Sequence, residues 1–358
     1  MQYSSTTGRR RSRAAALGLG ATAVSLALAL TGCSGSSSSP GSTSKGSAAS
    51  TDFSIAFIPK QLNNPYTDVE LSGGTAAAKA VGATSSIVGP NDASASSQVS
   101  YINTLTQKRT KVIAIAANDP NAVCSSLNQA KAAGAKIITF DSDANCRSIF
   151  INQVESKDVA LVELKQLHEQ LPDGGQVAIL SATANATNQN TWIKFMKEEL
   201  KSNPDYKNLD LVTTVYGDDD DTKSFQAAQG LLKSYPNLKG IISPTTVGIA
   251  ATARYLSKSQ YKGKVALVGL GLPKQMRSYI KDGTVKGFAL WDPSQIGQAA
   301  VYAGKALVAG TITGKQGDSF EAGDLGTLKV GANGAVVVGP PIEFTADNID
   351  KYHFDDNL

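Results

Sequence analysis

Short apolar segments alternate with amphipathic segments along most of this chain, starting at Phe53. The apolar segments are rich in β-branched residues, and the amphipathic ones repeat apolar side chains at helical spacing, as Val99, Ile102 and Leu105 do. Repeated units of this kind predict parallel strands covered by helices on both faces of a sheet. The first series of predicted strands is FSIAFI (53–58), TSSIV (84–88), KVIAIA (111–116) and IITF (137–140).

After Gln153 the pattern restarts, which indicates a second lobe. At 358 residues the chain is longer than one hydrophobic core usually supports, so two domains are expected. The sequence therefore predicts an α/β fold of two doubly wound parallel-sheet lobes, joined by a multi-strand hinge and separated by a cleft that closes on a ligand. The second series of predicted strands is QVAILS (176–181), LDLVTTVY (209–216), GIISP (240–244), KVALVG (264–269) and VKGFALW (285–291).

The lobe boundaries follow from this pattern. Residues 53–152 plus about 293–325 are expected in the first lobe, because the small and apolar face of the helix at 295–310 suits a return to it. Residues 153–292 are expected in the second lobe, together with residues 326–354, although the tail from Ile342 to Phe354 fits either lobe. Within that last range, Asn333-Gly334 predicts a hairpin turn over 327–339.

The first fifty residues differ from the rest of the chain. Four arginines between positions 9 and 13, an apolar run over 14–30 and the sequence Leu30-Thr31-Gly32-Cys33 predict an export signal over residues 1–32. The segment around Cys33 resembles the bacterial lipobox, which implies lipidation of Cys33 and a membrane-anchored protein outside the cytoplasm; a plain signal peptide is the alternative. Residues 33–52 are mostly Ser, Gly, Ala and Thr, as in a flexible tether.

The charge and cysteine content exclude several function classes. Removing residues 1–32 takes four of the 34 lysines and arginines and leaves 30, which balance 30 aspartates and glutamates, so nucleic acid is not an expected partner. With only His168 and His353 and no Cys/His cluster, neither a metal site nor a cofactor is expected. Cys124 and Cys146 are expected to form a disulfide in an exported protein, and two buried free thiols are the alternative.

Polar residues at the ends of predicted strands are the first candidates for ligand binding. Asp141 and Asp143 follow the strand at 137–140, at the sheet edge where open α/β folds bind ligands, and helix capping by Asp141 is the competing interpretation. Asn64 is expected to cap a helix that starts at Pro65, and residues 118–120 to open another. The acidic run 218–221 lacks the spacing of a calcium loop and is interpreted as favouring a helix N-terminus.

Many short motifs, in the same order, resemble those of the type I periplasmic solute-binding proteins, in the branch of rhamnose-binding and autoinducer-2-binding proteins. The resemblance covers residues 53–354 and implies the two-lobed fold described above. The motifs are FIPK (57–60), NNPY (63–66), VGP (88–90), ANDPNAV (117–123), FDSD (140–143), FINQ (150–153), NQNTW (188–192), YGDDDDTKS (216–224), PTTVGIAA (244–251), GLGLPKQMR (269–277) and ALWDP (289–293).

The resemblance also implies a ligand site. Lys60, Asp141, Gln189 and Pro244 match residues that bind the ligand in the autoinducer-2 branch. Asn188 stands where that branch has aspartate and Thr246 where it has alanine, so the rhamnose-binding branch is the better match. Amides and carboxylates suit sugar hydroxyls, and aromatic rings suit the C–H face of a sugar. Asp141, Asn188, Gln189 and Lys60 are expected to supply the polar groups, and Tyr66 and Trp291 the aromatic faces. Asn64, Asp143 and Thr246 are also expected to contact the ligand, with Leu272 as an apolar wall and Trp192 in the core.

The expected function is therefore capture of a sugar and its delivery to the permease and ATPase of an ABC importer, by a monomer that catalyses no reaction. Rhamnose or a related deoxy sugar is the expected ligand, and uptake or sensing of autoinducer-2 is the alternative. An exported carbohydrate-active enzyme is a third possibility, but the sequence has no GxSxG or HExxH motif and no paired histidines.

Overall fold

The computed structural model describes residues 53–356, so the predicted export signal, Cys33 and the predicted tether lie outside the described residues. The described chain forms two sheets flanked by helices. The elements as far as the first crossing between the sheets are β1 (Ser54–Ile58), α1 (Pro65–Ala80), β2 (Thr84–Ile87), α2 (Ala95–Gln107), β3 (Val112–Ile115), α3 (Cys124–Ala132), β4 (Lys136–Phe140) and β5 (Ile149–Asn152).

The remaining elements include nine further strands and six further helices within residues 53–356, besides short 3-10 turns. They are α4 (Ser156–Gln170), β6 (Gly175–Ser181), α5 (Thr187–Ser202), β7 (Leu209–Tyr216), α6 (Asp221–Ser234), β8 (Leu238–Ser243), α7 (Thr246–Ser257), β9 (Ala266–Gly269), α8 (Pro273–Lys281), β10 (Phe288–Leu290), α9 (Ser294–Ala309), β11 (Ser319–Glu321), β12 (Thr327–Lys329), β13 (Ala335–Val337) and β14 (Ile342–Phe344).

The first lobe is built on a six-stranded parallel sheet in the order β13-β5-β4-β3-β1-β2. Alternate residues of its strands face opposite sides, as strand geometry requires. Ile55 and Phe57 belong to the core cluster that includes α1 and α9, whereas Ala56 and Ile58 pack with α2 and α3. Both faces of the sheet are therefore covered, as the apolar strands predicted.

The second lobe is built on a four-stranded parallel sheet in the order β7-β6-β8-β9. A single bridge between Leu270 and Ala289 continues it to β10, which pairs antiparallel with β14. Helix α4 packs against α5 and β9. The two sheets confirm the predicted α/β fold with two doubly wound lobes. Among residues 53–356, none of the helices is long and apolar enough to cross a membrane.

Three segments cross between the lobes within the described chain. They follow β5 at Gln153, β10 at Trp291 and β13 at Val338. The first and third lie side by side, because the Val338 and Gly339 amides donate to the Asn152 and Gln153 carbonyls at 3.0 and 3.2 Å. The crossings therefore form a compact hinge of several chain segments.

The expected assignment of residues 326–354 to the second lobe is wrong for β13. This strand pairs in parallel with β5 of the first sheet, where Val336 is fully buried. Residues 342–356 do pack on the second lobe, with Phe344 stacked on Phe288 and contacting Tyr352. The segment divides because the outer edge of β5 is free to accept a strand, whereas the apolar tail covers β10 and α8.

The predicted hairpin over residues 327–339 is also wrong, although its turn is present. Asn333 and Gly334 both have positive φ, at 54° and 70°, as the predicted turn requires. The strands on either side nevertheless pair elsewhere, β12 with β11 and β13 with β5. Pairing with β5 buries β13 at the edge of a large sheet, which an isolated hairpin could not do.

Two predicted helix starts had different outcomes. Asn64 is the N-cap of α1, with its side chain accepting from the Tyr66 amide at 3.0 Å, which confirms the prediction. Residues 118–120, however, do not open a helix. The Asp119 carboxylate accepts from the Asn121 and Ala122 amides at 2.8 Å, and the resulting turn delays the start of α3 to Cys124.

Cys124 and Cys146 lie next to each other under the first sheet. Their Cα atoms are 5.4 Å apart and the two sulfur atoms are within bonding distance. This separation suits a disulfide. That the bond exists in the exported protein remains a prediction from the sequence.

Glycines allow α1 and α9 to pack closely. A Cβ added at Gly297 would lie 2.0 Å from the Glu70 carbonyl oxygen, which is closer than real Cβ contacts. We predict that Gly297→Ala lowers the free energy of unfolding by about 1–3 kcal/mol, because the helices must move apart. Gly230→Ala is the matched control: it lies in α6 with open space around it and should be stabilising by about 0.4–1 kcal/mol. Urea unfolding of both variants measures this, and equal effects would contradict the packing argument.

A second prediction concerns Glu163, a fully buried residue of α4 whose carboxyl oxygens have no hydrogen-bond partner in the described chain. Burial raises its pKa well above the usual value, so the folded protein holds this proton more tightly than the unfolded chain. The stability from this group is therefore complete below the unfolded pKa and falls as the pH rises towards the folded pKa.

Glu163→Gln should consequently gain in melting temperature relative to the unmodified protein as the pH rises from about 4 to about 8. Glu169→Gln, at an exposed position of the same helix, should show little such trend. Melting curves across this pH range measure the difference. A Glu163→Gln difference that stays constant with pH would contradict the burial of an ionisable carboxyl.

Candidate ligand-binding site

A cavity lies where the lobes meet, at the carboxyl ends of the strands of both sheets. The space that it encloses is small, about 40 Å³, because side chains of the two lobes contact each other across it. Polar groups and aromatic rings share the lining. The lining residues are Lys60, Asn64, Tyr66, Thr67, Asp141, Asn188, Gln189, Trp192, Asp219, Pro244, Thr245, Thr246, Leu270, Leu290 and Trp291.

Lys60 enters the cavity from the first lobe, two residues after β1. The backbone that carries it is held by two buried side chains: Gln98 Nε2 donates to the Pro59 carbonyl at 3.0 Å, and Asn118 Nδ2 donates to the Lys60 carbonyl at 2.8 Å. Gln98 Oε1 in turn accepts from the Asn118 amide. The backbone of Lys60 is therefore held from behind by α2 and the loop after β3.

Asp141 follows β4 directly and lies beside Lys60. Its Oδ2 is 3.3 Å from Lys60 Nζ, and both side chains are at least nine-tenths buried. Its φ of 55° is in the left-handed region, which aspartate tolerates better than most residues and which occurs at functional sites. The alternative that Asp141 caps a helix is wrong, since its hydrogen-bonding partners are side chains in the cavity.

The second lobe contributes the first turn of α5. Lys60 Nζ donates to Asn188 Oδ1 at 3.1 Å, and Asn188 Nδ2 donates to Asp141 Oδ2 at 3.3 Å. Gln189 Oε1 accepts from the Ser181 hydroxyl and the Ala182 amide, at 2.6 and 2.7 Å. These bonds orient the Gln189 side chain and leave its amide nitrogen available to the cavity. Residues of both lobes thus form one polar cluster.

Three aromatic rings also line the cavity. Trp291 lies edge-on to both Tyr66 and Trp192, with ring centres 6.3 and 6.0 Å away. Trp291 Nε1 donates to the Tyr66 hydroxyl at 2.9 Å, and that hydroxyl donates to Asp141 Oδ1 at 3.1 Å. Burial, with a smaller contribution from the charge of Asp141, raises the pKa of Tyr66 well above its usual value, so the hydroxyl stays neutral.

A further carboxyl, Glu70, lies behind Tyr66 on α1. It is fully buried, and neither of its oxygens has a hydrogen-bond partner in the described chain. Burial is the main cause that raises its pKa well above the usual value; the charge of Asp141 adds to the effect and that of Lys60 opposes it. Glu70 is therefore expected to be protonated and neutral behind the cavity.

The structure brings most of the predicted site residues together. Lys60, Asn64, Tyr66, Asp141, Asn188, Gln189, Pro244, Thr246 and Trp291 all line the cavity. Asp143 does not, and its expected ligand contact is wrong. Both Asp143 oxygens accept from Arg147, at 2.9 Å each, while Arg147 Nη1 donates to the Asn333 carbonyl. The Asp143–Arg147 pair therefore holds the loop before β5 against the turn before β13.

Other lining residues were not found by sequence reasoning. Leu270 and Leu290 provide the apolar wall expected from Leu272, which instead packs in the core at the start of α8. Both leucines lie at carboxyl ends of second-lobe strands, a signal that could have identified them. Trp192 was expected in the core and is buried, yet its ring also lines the cavity. Asp219 and Thr245 also line the cavity and are not among the ligand contacts predicted from the sequence.

The described residues hold no group of three or more His, Cys, Asp or Glu side chains arranged to bind a metal ion. The acidic run 218–221 starts at the end of β7 and leads into α6, where Asp220 is the N-cap and accepts from the Lys223 amide at 2.8 Å. The lining residues offer hydrogen-bonding groups and aromatic faces to a ligand.

Comparison with known proteins identifies the family. A family model described as the periplasmic binding protein domain matches residues 55–312. The solved structure of a sugar ABC transporter protein from Actinomyces odontolyticus is 60% identical, covers 85% of this chain and 98% of its own, and has a TM-score of 0.69. An ABC transporter solute-binding protein from Clostridium phytofermentas, solved with bound L-rhamnose, is 35% identical, covers 86% and 100%, and has a TM-score of 0.82.

Among curated proteins, the D-apiose import binding protein of Actinobacillus succinogenes is 27% identical over 269 residues, which is 73% of this chain and 84% of that protein. These relatives are solute-binding proteins of transporters, not enzymes, which confirms the expectation that this chain catalyses no reaction. With two lobes, a cleft lined from both of them and a family match over most of its length, the chain belongs to the periplasmic binding protein family.

Proposed function

We propose that this chain is the sugar-binding protein of an ABC importer and that it binds L-rhamnose or a related deoxy sugar between its lobes. The observation that carries the proposal is the mixed lining of the cavity. Lys60, Asp141 and Gln189 offer the charged and amide groups that suit adjacent sugar hydroxyls, and three aromatic rings suit the C–H face of a sugar.

A 6-deoxy sugar adds one requirement, an apolar contact for its methyl group. Leu270 and Leu290 provide two branched aliphatic side chains in the same cavity. The relative with bound L-rhamnose, from Clostridium phytofermentas, supports the same ligand. The delivery partners would be the permease and ATPase of the importer, with the protein acting as a monomer.

Autoinducer-2 is the second candidate, because Lys60, Asp141, Gln189 and Pro244 match that branch and line the cavity together. Asn188 and Thr246 argue against it. Replacing a carboxylate by an amide exchanges two acceptor oxygens for one acceptor and one donor, which changes the hydroxyl pattern that the site can bind. D-Apiose, named for the relative from Actinobacillus succinogenes, is a further sugar to test.

We predict that isothermal titration calorimetry detects binding of L-rhamnose to the purified protein and that Asp141→Asn weakens it. Asparagine tolerates the left-handed backbone but removes the negative charge, which should cost about 1.5–3 kcal/mol, or roughly 10- to 150-fold in Kd. Asp143→Asn is the matched control, two residues away and outside the cavity, and should bind as the unmodified protein does. Equal losses in both variants, or no binding of L-rhamnose, D-apiose or autoinducer-2, would overturn the assignment.

The proposal includes a lipid anchor at Cys33, outside the described residues. Acyl chains on Cys33 would hold the protein at the outer face of the cell membrane, since each buried methylene contributes about 0.8 kcal/mol. We predict that Cys33→Ser moves the protein from the membrane fraction to the medium. Cell fractionation, with mass spectrometry of the mature N-terminus, measures this. A mature chain that begins elsewhere than residue 33 would contradict the anchor.

A further inference from the structure

The four aspartates of the run 218–221 have separate roles. Asp218 Oδ2 accepts from Lys223 Nζ at 2.8 Å, Asp220 caps α6, and Asp221 forms a two-bond pair with Arg254 at 2.7 and 2.8 Å. All three are exposed. Asp219 differs, since it faces the ligand cavity. The general attraction between acidic residues and a helix N-terminus does not account for it.

The loop after β7 holds Asp219 in this position. The Gly217 amide donates to the Ser181 carbonyl and the Asp218 amide to the Ala182 carbonyl, both at 2.9 Å. Asp218 and Asp219 then adopt left-handed φ angles of 54° and 50°, which reverse the chain. Asp219 Oδ1 accepts from the Thr245 hydroxyl, so the loop after β8 fixes the orientation of the carboxylate.

Asp219 differs from the other lining residues in how its carboxylate oxygens are hydrogen-bonded. The other carboxylate and amide oxygens among the lining side chains already accept a hydrogen bond from the protein. The pairs are Asp141 Oδ1 with the Tyr66 hydroxyl, Asp141 Oδ2 with Asn188, Asn188 Oδ1 with Lys60, Gln189 Oε1 with Ser181 and Asn64 Oδ1 with the Tyr66 amide.

Asp219 Oδ2 is the only oxygen of this kind, among the lining residues that the structure describes, with no protein donor. Asp219 is half-buried and this oxygen is not closed off from solvent, so it is available to accept a hydrogen bond from a bound ligand. Burial raises the pKa of Asp219, with Lys60 and Thr245 opposing the shift, which agrees with a carboxylate that lacks full solvation.

Asp219 also connects the two lobes. Its backbone carbonyl, in the second lobe, accepts from Gln61 Nε2 of the first lobe at 3.0 Å. Gln61 directly follows Lys60, so one segment of the first lobe contacts both Asn188 and Asp219 across the cleft. This hydrogen bond joins the two lobes and holds the backbone of Asp219 beside the cavity.

We infer that Asp219 is a ligand contact of the second lobe that accepts a hydrogen bond from a hydroxyl of a neutral polyol. It would select for ligands that carry a hydroxyl within reach of its Oδ2 atom. This rests on the proposed function. In the autoinducer-2 branch the second lobe supplies a carboxylate at the position of Asn188. In this chain Asp219 would supply the second-lobe carboxylate from a different loop. The chemical class selected is a sugar whose hydroxyl donates to Asp219 while Asp141 and Lys60 hold the other side.

The test compares Asp219→Asn with Asp218→Asn by calorimetric titration of L-rhamnose. The two positions have the same charge and the same left-handed backbone, but Asp218 is exposed. Asp219→Asn should raise the Kd about tenfold or more, because a charged acceptor becomes an amide. Asp218→Asn should stay within about twofold. Equal Kd values for the two variants would overturn the inference.

Monodeoxy analogues of L-rhamnose provide a readout that a structural role would not change. The analogue lacking the hydroxyl bound by Asp219 should bind the unmodified protein and Asp219→Asn with the same Kd, while other analogues keep the difference. If no analogue removes the difference, Asp219 does not contact the ligand and the inference fails.

Three further outcomes complete the test of this inference and of the proposed function. If Asp219→Asn does not fold, Thr245→Val, which removes the hydroxyl that orients the carboxylate, takes its place and should raise the Kd in the same direction; an unchanged Kd would overturn the inference. If the unmodified protein binds none of the sugars, the proposed function fails and the inference fails with it. If the sugar binds and only the Asp219 effect is missing, the proposed function stands alone.

Discussion

The buried ion pair between Lys60 and Asp141 is the interaction on which the rest of this site depends. The two charged groups lie 3.3 Å apart and almost out of contact with water. Burying an ion costs several kcal/mol unless partners and hydrogen bonds compensate for the lost water. Here the compensation comes partly from Tyr66 of the same lobe and partly from Asn188 of the other lobe. Contact between the lobes therefore completes the compensation of these charges.

This arrangement explains why a polyol suits the cleft. A ligand with several hydroxyls can take the place of water around Lys60 and Asp141 as the lobes approach, and the ligand then favours the closed form by its extra contacts there. The supporting residues are themselves held by hydrogen bonds. Gln98 and Asn118 hold the Lys60 backbone, and Trp291, in a chain segment that crosses between the lobes, is bonded through Tyr66 to Asp141. A continuous series of hydrogen bonds, from Trp291 through Tyr66 to Asp141, thus connects the hinge to the cleft.

Much of this could be predicted from the sequence, because strand ends are readable and parallel sheets bring those ends together. Lys60 and Asp141 follow apolar strands, and the alternation of strands and helices gives two lobes without further information. The errors arose where partners distant in sequence decide the outcome. Asp143 resembles Asp141 in sequence, but Arg147 uses both of its oxygens. The turn at Asn333-Gly334 has hairpin chemistry, yet the free edge of β5 takes the following strand. Asp219 looked like one of four solvated aspartates, and only the loop geometry after β7 shows which one enters the cavity.

The central claim is that one small polyol is held by hydrogen bonds from both lobes at once. A crystal structure of the protein grown with L-rhamnose tests it most directly. The account predicts a single sugar in the cavity, with its oxygens within hydrogen-bonding distance of Lys60 and Asp141 on one side and of Gln189 or Asp219 on the other. A sugar bound to one lobe only, or bound outside the cavity, would contradict it.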